Sequence, residues 1–325
     1  MERAARKKVI VIDDGYGSYD IERRILDAAG ADVIVSPCKG NAAAVLDATQ
    51  YASAVLVRES PVGAEAIAAM QCCEVIVRYG IGVDNVDMQA ARARRIHVAN
   101  VPDYGIEEVS DQAVAMLLAI ARRIVPRDAA VRRGAWNVSR QEKMYRIAGR
   151  VLGLVGYGRI ARKVEQKMRG FGVTRVLAFD PFVRPEDAPS DVEFVALDRL
   201  CAESDYVSVH SPLTPQTRGM LDARTLGLMQ PTTILVNTAR GGLLDETALM
   251  TMLREGRLFG AGLDVFETEP PLPGSAVLSC PNLIVSDHTA WYSEASVAEL
   301  QEKAANEVLR VFQGDVPRNW LNRWD

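Results

Sequence analysis

The chain is poor in the residues that mark most specialised classes. Of its 325 residues only three are histidine and five are cysteine. The cysteines, Cys38, Cys72, Cys73, Cys201 and Cys280, are odd in number and none has C-x-x-C spacing. That pattern argues against a disulfide framework or a structural metal, so no metal and a reduced, cytoplasmic setting are expected. No apolar run approaches the length that crosses a bilayer. The basic start, MERAARKKVIVIDD, leads only into VIVI, too short for a signal peptide and suited to a first strand. The net charge is −4 with acids and bases interspersed, so there is no basic stripe for nucleic acid. Neither nucleic acid nor membrane is expected as a partner. Repeats and low-complexity stretches are missing too.

What is present is apolar and periodic. Hydrophobic residues make up 48% of the chain, enough for a large core, and the length suggests two domains. Short β-branched runs fall at 9–13, 32–36, 53–57, 75–78 and 96–100, with amphipathic segments between them. A second series falls at 151–156, 175–180, 206–210, 233–237, 261–265 and 283–287. Strands apolar on both faces, alternating with helices, predict parallel sheets covered by helices. Two series predict two doubly wound α/β units. Between them, 103–123 reads as a long helix, with Val109, Ala113, Leu117 and Ile120 at helical spacing. The polar stretch 125–149 reads as an irregular linker.

Residues 151–180, VLGLVGYGRIARKVEQKMRGFGVTRVLAFD, are the most informative thirty. A strand leads into Gly156-Tyr157-Gly158-Arg159-Ile160-Ala161, a helix follows, and a second strand ends at Asp180. Strand, G-x-G-x-x-A, helix, strand and terminal acid together make a dinucleotide fingerprint. Gly156 permits the tight turn. Gly158 lets backbone approach a pyrophosphate at the helix N-terminus. Asp180 accepts from ribose hydroxyls and repels a 2′-phosphate, which favours NAD over NADP.

Three later segments each follow a strand: NTARGG with Arg240, GLDVFETEPP with Asp264, Glu267 and Glu269, and SDHTAWYSE with His288. In open α/β sheets ligands bind outside the carboxyl ends of strands. Arginine grips a carboxylate through two parallel hydrogen bonds. Histidine carries a proton near neutral pH, and a carboxylate beside it favours its charged form. Taken alone, His288 reads first as a surface histidine in a polar turn and second as a proton carrier. His210 follows a strand and reads as lining a cofactor edge, and His97 reads as structural. Arg58 and Arg78 also end strands, where each either reaches substrate or pairs on the surface.

The segments RYGIGVDNVD (78–87), NVPDYGIEEVSD (100–111), GLVGYGRIA (153–161), HSPLTPQT (210–217), NTARGG (237–242) and LDVFETEP (263–270), with His288, resemble the D-isomer-specific 2-hydroxyacid dehydrogenase family over nearly the whole chain. AWYSE (290–294) is similar to the C-terminal-binding-protein branch of that family, which includes NAD-sensing corepressors.

The resemblance implies a Rossmann-type coenzyme domain over 103–288. It implies a flavodoxin-like substrate domain over 1–102 and 289–325, a cleft, and a hinge near 100–103 and 287–291. It implies reduction of a 2-oxo acid to the (D/R)-2-hydroxy acid by NADH, and the reverse. Arg240 then holds substrate, Glu269 pairs with the histidine, and His288 is the acid/base.

The backbone of Tyr79, Gly80, Ile81 and Gly82 is implied to bind the substrate carboxylate, with Arg58, Arg78 and Trp291 as further substrate contacts. Gly156, Tyr157, Gly158, Arg159, Ile160, Asp180 and Pro181 are implied to contact NAD. So are His210, Ser211, Pro212 and Thr217, and Thr238, Ala239, Arg240, Asp264, His288 and Ala290. A homodimer through the coenzyme domain is implied as well.

Two departures stand out. Asp287 replaces the usual proline before the histidine, and Trp291 suits a substrate with an apolar or thioether tail. The rival reading is an NAD(H)-gated, corepressor-like binding protein with vestigial catalysis. The absence of basic clusters beyond Arg58, Arg78 and Arg240 leans away from a phosphorylated substrate.

Overall fold

β-Branched runs build the first sheet. In the computed structural model, which describes residues 6–136, 142–184 and 189–324, five parallel strands stand in the order β2-β1-β3-β4-β5. They are β1 (Lys7–Val11), β2 (Ala31–Val35), β3 (Ala54–Val57), β4 (Val75–Arg78) and β5 (His97–Ala99). Every residue of β3 is fully buried, as a central strand covered on both faces requires. The crossovers are α1 (Asp20–Asp27), α2 (Ala42–Thr49), α3 (Ala64–Ala69) and α4 (Met88–Ala93). Asn41 and Asp87 start α2 and α4 by accepting backbone N–H groups of the first turn. The order reverses between β1 and β3, which puts the switch point of this flavodoxin-like sheet there.

The chain divides into two compact units, Met1–Gly105 with Ser293–Asp325, and Ile106–Tyr292. The second opens with α5 (Ile106–Ala121), which buries the periodic residues Val109, Ala113, Leu117 and Ile120. In place of the expected irregular linker, α6 (Ile124–Arg132) follows. Pro126 falls in its first turn, where a missing N–H costs nothing, so the proline permits the helix rather than breaking it. Part of that expected linker, 137–141, lies outside the described residues.

Seven parallel strands then form the order β12-β11-β10-β9-β6-β7-β8. These are β6 (Val151–Val155), β7 (Arg175–Phe179), β8 (Glu193–Phe194), β9 (Tyr206–Val209), β10 (Ile234–Asn237), β11 (Gly260–Leu263) and β12 (Leu283–Val285). The helices are α7 (Arg159–Gly170), α8 (Leu197–Glu203), α9 (Ala223–Leu226) and α10 (Glu246–Arg254). The two-residue edge strand β8 carries no apolar run and is not legible in the sequence. The neighbours of β6 are β7 on one side and β9 on the other, the Rossmann switch point.

The last helix, α11 (Glu294–Phe312), returns to the first unit. Its Gln301 donates to both oxygens of Glu22 on α1, and Tyr79 donates to the same carboxylate at 2.7 Å. Asn322 finishes the edge strand β5, accepting from Val98 N–H and donating to the Ile96 carbonyl.

Candidate active site

The strand ends of the second unit carry the chemistry. After β6 the chain turns at Gly156, with φ +87°. A Cβ there would lie 2.8 Å from the Ser211 nitrogen and 2.9 Å from the His210 carbonyl, so conformation and space both demand glycine. Gly158 starts α7 in extended conformation, with no side-chain cap and open space where a Cβ would point. The first N–H groups of this twelve-residue helix therefore face outward for an anion.

Asp180 follows β7, and one carboxylate oxygen accepts Tyr157 N–H while the other accepts Phe182 N–H, each at 2.9 Å. Each oxygen keeps a lone pair for a ribose hydroxyl. Thr238, just past β10, is 8% exposed and its hydroxyl is buried with no protein partner. A buried hydroxyl needs a partner, and a bound group supplies one. An open helix start, a carboxylate at the second strand end and an orphaned hydroxyl together fit a dinucleotide.

The remaining predicted cofactor residues take varied positions. Tyr157 turns its ring inward and donates its hydroxyl to Glu165, so it offers only backbone. Arg159 and Pro181 are exposed, and Ile160 is half-buried. Ser211 is buried beneath Gly156. Thr217 donates its hydroxyl to the Pro212 carbonyl at 2.7 Å, closing the 212–217 turn. His210 places Nε2 2.8 Å from the Ser208 hydroxyl, and burial pushes its pKa down to about 3. Neutral at physiological pH, it is no proton carrier. His97 sits between Trp320 and Trp324, with Nδ1 3.2 Å from the Glu74 carbonyl, a packing role.

Arg240, Glu269 and His288 come together. Asn237, the last residue of β10, shapes the arginine loop by accepting Ala239 N–H and donating to the Arg240 carbonyl. His288 follows β12, and its Nδ1 lies 2.7 Å from Glu269 Oε2. The other Glu269 oxygen accepts Phe266 N–H at 2.9 Å. Burial works against ionisation of Glu269, but the bond from His288, its charge, the Phe266 N–H and the Arg240 charge outweigh it. They hold the carboxyl below its usual range.

The loop carrying His288 is wrapped on Asp264. That aspartate is fully buried and accepts from the Ser286 hydroxyl, Thr289 N–H and Ala290 N–H. Trp291 donates its indole N–H to the His288 carbonyl at 2.8 Å and meets Tyr292 edge to face. Exposed Asp287 accepts the Thr289 hydroxyl.

Other predicted residues lie in the first unit. Arg78 ends β4, and its guanidinium lies over Gly80, where a Cβ would be 1.5 Å from Nη1. Gly80 has φ +135° and donates its N–H back to the Arg78 carbonyl. Tyr79 is 2% exposed, Ile81 is exposed at 37%, and Gly82 is half-buried. Arg58 pairs with Glu59 at 2.7 Å and lies above the Tyr16 ring. Among the described residues no cluster of three or more His, Cys, Asp or Glu could hold a metal. None of the described helices is long and apolar enough to cross a membrane.

Sequence reasoning missed Gln112, Asn237, Glu246 and Ser286. Glu246 accepts Glu267 N–H and so steadies the loop before Glu269. Only Asn237 carried a signal, an asparagine at a strand end before a glycine pair, which favours a side-chain-closed turn.

A parallel sheet with a dinucleotide-type turn, and an imidazole–carboxylate pair beside an arginine at its strand ends, fits a nicotinamide-dependent oxidoreductase. Residues 114–290 match the family model for the D-isomer specific 2-hydroxyacid dehydrogenase NAD binding domain. A glyoxylate reductase of Korarchaeum cryptofilum is 40% identical over 268 residues, 81% of this chain and 80% of that protein. A D-3-phosphoglycerate dehydrogenase of Mycobacterium leprae is 40% identical over 266 residues, 81% of this chain but 49% of that longer protein. The crystal structure of a protein from Thermus thermophilus superposes with a TM-score of 0.88 at 35% identity, covering 97% of this chain and 99% of that one. The chain belongs to the D-isomer-specific 2-hydroxyacid dehydrogenase family and is an enzyme of that class.

Proposed function

We propose that this enzyme interconverts a small 2-oxo acid and its (D/R)-2-hydroxy acid, with His288 as the acid/base. The observation that carries the reading is the 2.7 Å pair between His288 Nδ1 and Glu269. It fixes the ring and leaves Nε2 to face the reacting oxygen.

When bound, NADH supplies the hydride to the carbonyl carbon. His288 Nε2 gives its proton to the carbonyl oxygen, becoming neutral as the C–OH forms, and takes it back in the oxidative direction. Arg240 holds the substrate carboxylate and polarises the carbonyl. Tyr79, Gly80, Ile81 and Gly82, with Arg58 and Arg78, add substrate contacts. Trp291, tied to the His288 carbonyl, favours a flat or apolar substrate tail. Asp180 supports NAD over NADP through charge repulsion of a 2′-phosphate. The AWYSE run supports placement in the C-terminal-binding-protein-like branch, and we assign a homodimer through the NAD-binding unit, working in the cytoplasm.

The test follows NADH oxidation against glyoxylate, hydroxypyruvate, pyruvate, branched and aromatic 2-oxo acids, 4-methylthio-2-oxobutyrate and phosphorylated analogues. His288→Ala is expected to cost roughly 10²–10⁴-fold in turnover on the best of them. Unchanged turnover would remove the acid/base assignment. Silence of the wild-type enzyme across the panel, with NADH bound, would favour a nucleotide-gated binding protein.

A further inference from the structure

We infer that Ser286, held between Gln112 and Asp264, is a positioning residue for His288. The inference rests on the acid/base reading above. His288 has φ +58°, an uncommon conformation for a residue with a Cβ, held here by its surroundings. The imposing group is Asp264. Its carbonyl accepts His288 N–H at 2.8 Å, and its carboxylate accepts Thr289 N–H and Ala290 N–H, each at 3.1 Å. These groups belong to the loop itself, so they cannot fix the direction of the carboxylate that gathers them.

The third donor is a side chain. Ser286 Oγ donates to Asp264 Oδ1 at 2.5 Å and accepts from Gln112 Nε2 at 3.2 Å. Gln112 stands on α5, a sixteen-residue helix anchored by eight buried residues. A line of hydrogen bonds thus runs from a rigid helix through Ser286 to Asp264, and from there to the backbone on either side of the imidazole. Without the hydroxyl, a fully buried carboxylate loses this side-chain donor and turns to find another. The His288 loop then relaxes, and the imidazole drifts from Glu269. Nothing here requires Ser286 to touch substrate or cofactor.

The test compares wild type with Ser286→Ala, Ser286→Thr, Gln112→Leu and His288→Ala. The chain has three histidines, so their imidazole resonances can be followed by NMR, with His288→Ala giving the assignment. We expect Ser286→Ala to displace and broaden the His288 Nδ1–H resonance, as the 2.7 Å hydrogen bond to Glu269 loosens. Turnover with the best 2-oxo acid falls roughly tenfold, while the NADH dissociation constant stays within about twofold, because a misplaced acid slows chemistry rather than binding. Ser286→Thr, which keeps the hydroxyl, restores both. Gln112→Leu displaces the resonance in the same direction by less.

A purely structural serine would lower the melting temperature and leave the His288 resonance and turnover alone, and that outcome overturns the inference. If Ser286→Ala fails to fold, an unmoved His288 resonance in Gln112→Leu overturns it. If His288→Ala turns over like wild type, the acid/base reading itself falls. If His288→Ala is inactive while Ser286→Ala keeps the wild-type His288 resonance and turnover, only the positioning role falls.

Discussion

Gly241→Ala is the sharpest perturbation available in this site. Gly241 follows Arg240 and opens a short 3-10 turn, Gly241–Leu243. An added Cβ would lie 1.9 Å from the Phe266 carbonyl carbon, 2.1 Å from its oxygen and 2.3 Å from the Glu267 nitrogen. These are backbone atoms of the segment that leads to Glu269, so no side chain can swing aside. Ordinary contact begins near 3.4 Å, and the two backbones must therefore part by about 1.5 Å. One carries Arg240 and the other Glu269. A misplacement of ~1 Å in a catalytic group costs on the order of 10²-fold, so kcat/KM is expected to fall at least that far. Overpacking of this kind adds ~1–3 kcal/mol of destabilisation.

The comparison is Gly242→Ala. Its Cβ would meet only the Arg218 guanidinium at 3.1 Å and the Leu213 side chain at 3.3 Å, both movable, so turnover should stay within about twofold. NADH oxidation and thermal unfolding of the two variants decide the matter. Equal activity and equal melting temperature in both would show that Arg240 and Glu269 need no fixed separation.

Glu269→Gln keeps an acceptor on His288 Nδ1 but removes the carboxylate that orients the ring, and turnover should drop roughly 10–10²-fold. Unchanged turnover would detach Glu269 from the chemistry. Burial lifts the Glu22 carboxyl above its usual range despite the hydrogen bonds from Tyr79 and Gln301. A raised folded value means the contribution is full at acid pH and is lost as pH rises through that value. Glu22→Gln, which cannot ionise, should therefore match wild type near pH 4 and exceed it in urea midpoint by pH 8. A flat difference would refute this. Gly156→Ala combines φ +87° with a 2.8 Å contact to the Ser211 nitrogen, and NADH affinity measured by fluorescence should fall ~10-fold or more. Unchanged binding would contradict the fingerprint.

Most of the architecture is legible because burial writes itself into residue type. The β-branched runs form strands with ends displaced by a residue or two, and Gly156, Gly158 and Asp180 stand at the turns their spacing predicts. What escapes depends on closure in three dimensions. An aspartate at a strand end looks the same whether it faces a ligand or folds back on a loop. Asp264 does the second, through Ser286, twenty-two residues on. Glu22 carries no signal in the sequence, yet it is fully buried, with Tyr79 and Gln301 converging on it from distant segments. The stretch 125–149 looks irregular for its polarity, although the proline at 126 falls in the first turn of the helix Ile124–Arg132 and is no obstacle to it.

The return of α11 to the first unit has a consequence for biosynthesis. Nearly two hundred residues separate the end of β5 from the start of that helix. At common elongation rates of ~5–20 residues per second, the first-made sheet waits roughly 10–40 s for the helix that shelters α1. The intervening unit is continuous in sequence and emerges complete in that interval. Completion thus runs opposite to synthesis, and the nascent chain carries an unfinished α1 face, with Glu22 lacking Gln301, until α11 arrives.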